Sequence, residues 1–112
     1  MGIGGRGRML PSEWLQQHEW IRNSLYTYNN KGQCIGGCLL GAIKATIHTK
    51  KESTRFRQVL LTLIQQYMQR QCNDNIEYIM SLSIPDVNDR NIPSKEVAVT
   101  VLQDAERVYF HG

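Results

Sequence analysis

No apolar run in this chain is long enough to cross a bilayer. Its hydrophobic stretches fall far short of the ~20 residues a spanning helix needs, although 41% of its 112 residues are hydrophobic. The start lacks the charged-then-apolar order of a secretory signal, and Arg6 stands where a myristoylation signal opening on MGIGG wants Ser or Thr. Cysteine is scarce and odd in number, three residues in all. Three cannot pair completely within one chain, and a small secreted scaffold carries an even, denser set. These shortages point to a soluble, cytoplasmic protein with no membrane association.

Ligand spacings for metal are missing as well. A structural zinc site wants four Cys or His ligands in two close pairs, and Cys34 and Cys38 have no second pair to join among Cys72, His48 and His18. The two cysteines stand three residues apart rather than the two of a thioredoxin-type motif, and no histidine is tied by spacing to Cys38 as a base. The stretch CIGGCLLGAI therefore reads as packing: Gly36 and Gly37 lead the chain into a helix, and Cys38 acts as a small buried hydrophobe. His18, with no Cys or His at i+3 or i+4, reads as a hydrogen-bonded core or boundary residue. No cofactor, metal or catalytic residue is expected.

What the chain does contain is helical periodicity. MGIGGRGRM reads as a flexible Gly/Arg arm over residues 1–10, leaving one helical domain over 11–112. Ser12 is positioned as an N-cap for a first helix carrying Trp14, Leu15, His18, Ile21 and Leu25. Leu25 to Tyr28, the turn Asn29 to Gly32, and Gln33 to Ile35 predict a short hairpin. A second helix is predicted from about Gly37 to His48, with Leu39, Leu40, Ile43 and Ile47 on one side and Cys38, Gly41, Ala42 and Ala45 as small residues on another. After a loop over His48 to Glu52, Ser53 is placed to cap a third helix reaching Cys72. Ile76, Ile79 and Met80 suggest a short fourth helix or a pair of turns, IPDVNDRNIPS reads as turns, and a last helix starts near Ser94. The expected fold is α+β, mainly α: a small bundle of four to five helices with a short β-hairpin between the first and second.

Charge is unevenly spread. Residues 1–57 carry nine basic and three acidic groups, and residues 58–112 carry four and seven. Arg6, Arg8, Lys44, Lys50, Lys51, Arg55 and Arg57 are thus candidate contacts to phosphate or to an acidic partner, although no nucleic-acid-binding signature accompanies them.

The order of hairpin, CLLGAI and the late VNDRNIPSKEVAVTVLQDA resembles a family of small bacterial and phage helical proteins of unknown function. That family is recognised by a Cys-x-x-Gly-Ala helix start and a Trp-Asn-Asp turn before the final helix. Its motif carries over as Cys38, Gly41, Ala42, Asn88 and Asp89, with Val87 at the position of the tryptophan. Physically, Asp89 is expected to cap the Cys38 helix or to hold the turn into the last helix. The expected function is a non-enzymatic interaction module that binds another protein or self-associates, and the resemblance implies a phage- or mobile-element-encoded modulator or inhibitor of a host. Trp20, Tyr26 and Tyr28 are candidate interface aromatics. The alternatives are a nucleic-acid-binding protein using the basic half, an anion site at Gly36 and Gly37, and an enzyme using Cys38 with Asp89.

Overall fold

The computed structural model describes residues 9–72 and 82–111. Arg6, Arg8 and the helix expected around Ile76 to Met80 lie outside the described residues, as does the side chain of Cys72. In chain order the elements are α1 (Pro11–Gln16), β1 (Glu19–Trp20), β2 (Tyr26–Tyr28), β3 (Cys34–Gly37), α2 (Leu39–Thr46), α3 (Lys50–Cys72), α4 (Ile84–Arg90) and α5 (Lys95–His111). The described residues thus form the mainly helical α+β domain expected, with a small sheet between the first two helices. α3 packs on α5, α1 fits between α2 and α5, and α2 rests on α4. Leu15, Leu39, Ile43, Phe56, Leu60 and Leu102 are fully buried where these helices meet.

The first helix is shorter than its periodicity predicts. It ends at Gln16, because other groups take over the carbonyls a longer helix would have used. His18 turns its ring back over Trp14, with centroids 3.9 Å apart, and its Nδ1 lies 2.6 Å from the Trp14 carbonyl. Lys95 Nζ on α5 donates to the carbonyls of Gln16 and His18. Ile21 and Leu25 consequently lie outside the helix. Ser12 is not its N-cap either: Leu10 holds that place, and the Leu10 N–H donates to Glu13. Ser12 is buried, and its N–H and hydroxyl donate to the Glu106 carboxylate at 2.7 and 2.6 Å. A carboxylate from α5 therefore completes the electropositive start of α1.

The hairpin is present but belongs to a three-stranded sheet of order β1-β3-β2. β2 runs antiparallel to β3, and the two-residue β1 pairs parallel to it, Glu19 with Gly36 and Trp20 with Gly37. Central β3 must then be approached from both sides, which explains its glycines. A Cβ on Gly36 would lie 2.5 Å from the Glu19 carbonyl oxygen, and one on Gly37 would lie 2.8 Å from that of Leu25.

Two more boundaries move. α3 starts at Lys50 rather than Ser53, because Thr49 Oγ1 accepts the Glu52 N–H as a cap and its hydroxyl donates to the Glu52 carboxylate. IPDVNDR is a helix, not a run of turns: Ser83 and Asp86 form a capping box, and Pro85 sits in the first turn, where its missing N–H costs nothing. Hydrogen bonds from the Ser83 hydroxyl and N–H hold the Asp86 carboxyl below its usual range. Asn88 and Asp89 are therefore helical. α5 starts near Ser94 as expected, and Ser94 caps it by accepting the Val97 N–H.

Gly41 in α2 provides a test. Replacing a helical Gly by Ala ordinarily stabilises by up to ~1 kcal/mol through helix propensity. Here the new Cβ would lie 2.4 Å from the Leu25 carbonyl oxygen, a backbone atom that cannot simply swing away. We expect Gly41→Ala to destabilise by about 1–3 kcal/mol, read as a lower urea midpoint at unchanged slope. A midpoint at or above wild type would show that Leu25 is free to retreat.

Candidate functional site

The motif residues converge on one stretch of backbone, Trp20 to Leu25. Asn88 is fully buried on α4, and its amide uses all its hydrogen-bonding directions. Oδ1 accepts the Leu39 N–H at 3.0 Å and the Trp20 indole N–H at 2.7 Å. Nδ2 donates to the Ile21 carbonyl and to Asp89 Oδ1, each at 3.0 Å. Two donors on one side and two acceptors on the other fix the orientation of the amide. Asn88 rather than Asp89 thus caps the Cys38 helix. Asp89 instead accepts the N–H of Asn23, a residue held in the left-handed region at φ 67°.

The same stretch is gripped from its other side. The Ile21 N–H donates to the Gly37 carbonyl, and the Cys38 N–H donates to that of Leu25. Gly41 leaves room for the Leu25 carbonyl. Arg22 lies over the Trp20 ring, 4.6 Å from its centroid, and donates to the Ile92 carbonyl. The backbone is fixed throughout, yet residues 22–25 all remain exposed, Leu25 at 37%. Sequence reasoning missed this stretch by assigning Ile21 and Leu25 to the first helix. The αL-tolerant Asn23 ahead of Ser24 was the signal available there.

The cysteines do different work. Cys38 is the N-cap of α2, its sulfur accepting the Gly41 N–H at 3.4 Å. Cys34 is exposed at the other end of β3. Four residues of extended chain separate their Cα atoms by about 13 Å, nearly twice the ~7 Å limit for a disulfide. Among the described residues no three of His, Cys, Asp and Glu come together. The anion site considered at Gly36 and Gly37 is not formed, since both glycines are strand residues and Asn88 takes the first N–H of α2. Ala42 is fully buried in α2.

Trp20 and Tyr26 are half-buried and engaged, Trp20 with Asn88 and Arg22, and Tyr26 through its hydroxyl to the Gly41 carbonyl. Tyr28 alone of the three stands mostly exposed, at 58%. It borders a shallow cleft of about 230 Å³ shared with Trp14, His18, Tyr26, Cys34 and Ala45. Of the basic candidates, Lys44, Lys50, Lys51 and Arg55 are exposed where α2 meets α3. Arg57 is turned back onto the Ser53 carbonyl and the Thr54 hydroxyl.

These features define a small α+β domain whose buried polar motif clamps an exposed segment. The chain belongs to a family of unknown function, DUF6197, whose model matches residues 12–108. No curated protein and no solved structure matches it. No helix among the described residues is long and apolar enough to cross a membrane.

Two tests follow from the clamp. Asn88→Ala strands the Leu39 and Trp20 donors and the Ile21 carbonyl, at a cost of about 3–6 kcal/mol if each contributes ~1–2. Asn88→Asp keeps an acceptor but sets a second carboxylate against Asp89 and the Ile21 carbonyl. That raises the folded-state pKa of the pair, so the lost stability should return as pH falls and disappear again as pH rises. Urea midpoints from pH 7 down to pH 4 measure this, and a flat difference from wild type would refute the carboxylate clash.

Tyr26 supplies an independent check at high pH. Burial, then the nearby Cys34, Tyr28 and Cys38, push its phenol above the ordinary value of 10.0. A difference titration of wild type against Tyr26→Phe, read at the phenolate absorbance, should show a transition above pH 10. A folded pKa above the unfolded one means that this stabilisation is full below the unfolded pKa and is lost as pH rises through the folded value.

Proposed function

We propose that this protein is a non-enzymatic interaction module that presents Arg22 to Leu25 to a protein partner. The observation that carries this reading is the use of the motif: Cys38, Gly41, Asn88 and Asp89 all act on the backbone of Trp20–Leu25. Asn23 and Ser24 are meanwhile exposed and Leu25 is partly so, while the Arg22 side chain lies over Trp20. An ordered loop on a rigid scaffold loses little conformational freedom on binding, which favours recognition by short exposed segments. The Cys38 and Asp89 pairing weighed as an enzyme finds no support, since each side chain is occupied at a helix cap or a backbone N–H. A role as a phage- or mobile-element-encoded modulator or inhibitor of a host protein fits a module of this size, acting in the cytoplasm.

Photo-crosslinking in the host cell tests the proposal. A photoreactive residue in place of Ser24 should capture a discrete partner, whereas the same residue in place of the exposed Gln58 on α3 should not. Leu25→Glu should abolish the Ser24 product while leaving the unfolding midpoint near wild type. Capture from position 58 but not 24 would move the contact surface to α3 and overturn the loop reading.

A second reading rests on the exposed Lys44, Lys50, Lys51 and Arg55 at the α2–α3 corner, which suit a polyanion. Binding to duplex or single-stranded nucleic acid should then fall steeply with salt, and Lys50→Glu with Lys51→Glu should flatten that dependence. Absence of binding at low salt would remove this alternative.

A further inference from the structure

The two edges of the sheet are unlike. β1 is only two residues long and carries the charge of Glu19, and short or charged edge strands resist further pairing. β2 has neither protection. From Asn23 to Asn30 the chain holds no proline and no charged residue, and Tyr26, Thr27 and Tyr28 are all strong strand formers. The irregularity in the β2–β3 ladder leaves Ile35 as the extra residue on β3, so β2 itself runs without interruption.

The backbone groups along that edge are unpaired. The Leu25 C=O accepts the Cys38 N–H, and the Asn29 N–H donates to the Gln33 C=O. Residues 25, 27 and 29 therefore turn their backbone groups to β3, and Tyr26 and Tyr28 between them turn theirs away. The Gly37 C=O, opposite Tyr26, is correspondingly taken by the Ile21 N–H on the far side of β3. Among the described residues nothing bonds the backbone N–H or C=O of either tyrosine. Two residues apart, the two tyrosines share a face of the strand, where they wall the cleft of about 230 Å³ together with Trp14. No carboxylate, lysine or arginine lines that cleft, and Trp14 meets Tyr26 edge to face at 6.3 Å.

We propose that the outer edge of β2 takes up an extended segment of a partner protein as a fourth strand, with an apolar side chain of that segment seated in the aromatic cleft. Outward N–H and C=O groups at strand spacing are complemented by an extended chain, whereas a helix has already satisfied its own backbone and cannot pair with them. The cleft selects among extended chains. Against uncharged aromatic walls an apolar or aromatic side chain gains by burial, and a charged one loses its water without a partner in return. A second copy of this chain would offer only the same three residues, while a partner segment can run on along the exposed Asn23 to Leu25. The proposal rests on the reading of this chain as a protein-binding module and adds the form its partner takes.

A phage-displayed library of random linear peptides, panned on the full chain, supplies the probe. Selected peptides should carry apolar or aromatic residues at alternate positions, and the Tyr26 and Tyr28 amide protons should gain protection from exchange, read by NMR, only when peptide is bound. Tyr28→Pro deletes an outward N–H that gives no bond to β3, so the unfolding midpoint should hold while peptide binding weakens by about tenfold or more. Tyr28→Ala, which keeps the N–H, should lose less. Peptides indifferent to Tyr28→Pro, peptides that leave both amides exchanging as before, or a library from which nothing is enriched would each overturn the proposal. So would a dimer in sedimentation velocity that Tyr28→Pro abolishes, which would assign the edge to a second copy. The exchange result is read on wild type and stands whatever the variants do. Photo-capture at Ser24 separates the two readings: capture that survives Tyr28→Pro keeps the loop and overturns the added strand, whereas peptides bound at the edge without capture at Ser24 do the reverse.

Discussion

The buried side-chain amide of Asn88 is the contact on which the arrangement of the other elements depends. Its oxygen joins the start of α2 to the Trp20 indole, and its nitrogen joins the Ile21 carbonyl to Asp89. An apolar residue of similar size would fill the space and leave three of these groups without partners, at a cost no packing gain offsets. The reverse also holds, because a buried amide is tolerated only where all its directions are met. α4, α2, β1 and the Trp20–Leu25 segment must therefore be placed together or not at all. That mutual requirement selects one arrangement among the many in which the apolar faces alone could pack.

Close backbone approach is the second constraint, and it follows from the first. Drawing Ile21 against Asn88 and Gly37 brings the Leu25 carbonyl onto the face of α2 and the edge of β3. The positions there are Gly37 and Gly41, where a Cβ would meet that carbonyl at 2.8 and 2.4 Å. Cys38 lies between them and supplies a cap from a small side chain, its sulfur on the Gly41 N–H. The Cys-x-x-Gly-Ala pattern is thus one physical device: a cap, a space for a crossing carbonyl, and in Ala42 a fully buried small contact. Glu106 plays a comparable part at the far end of the chain, closing α1 through Ser12.

Local signals made much of this legible. The helical periodicity of α3 and α5, the turn chemistry at Asn29 to Gly32, and the small residues of α2 agree with the structure, although Tyr67 of α3 and Val97 and Val108 of α5, which that periodicity places on the inner faces, stand exposed. The misread segments share a cause. Ile21 and Leu25 keep the helical spacing of α1, but they are withdrawn from it by pairing with β3 and by Asn88, partners distant in sequence. IPDVNDR carries three turn formers and a proline, yet Ser83 and Asp86 close a capping box at its start, a four-residue pattern that outweighs the composition. Ser12 has the residue type of an N-cap and works instead at the second helical position, because Glu106 on α5 competes for it. Asn88 and Asp89 were identifiable as paired motif residues from the sequence. Which of them faces α2 was not, because both lie on a helix whose rotation is set only by tertiary contact.

The direction in which the motif acts bears on function. The Asn88 amide, the Cys38 sulfur and Asp89 Oδ1 are all engaged with other groups of the chain around the Trp20–Leu25 segment. Among the described residues, the exposed stretch that this arrangement holds is Arg22 to Leu25, whose backbone is fixed at Ile21, Asn23 and Leu25 while Asn23 and Ser24 face outward. A segment held at alternate residues cannot collapse onto the domain or fray from it. Its side chains therefore keep a defined spacing, with Leu25 as an apolar point beside polar Asn23 and Ser24. A partner surface can match such a spacing without first ordering it, and that is the physical sense in which a structural motif can serve recognition by holding the backbone of a surface segment.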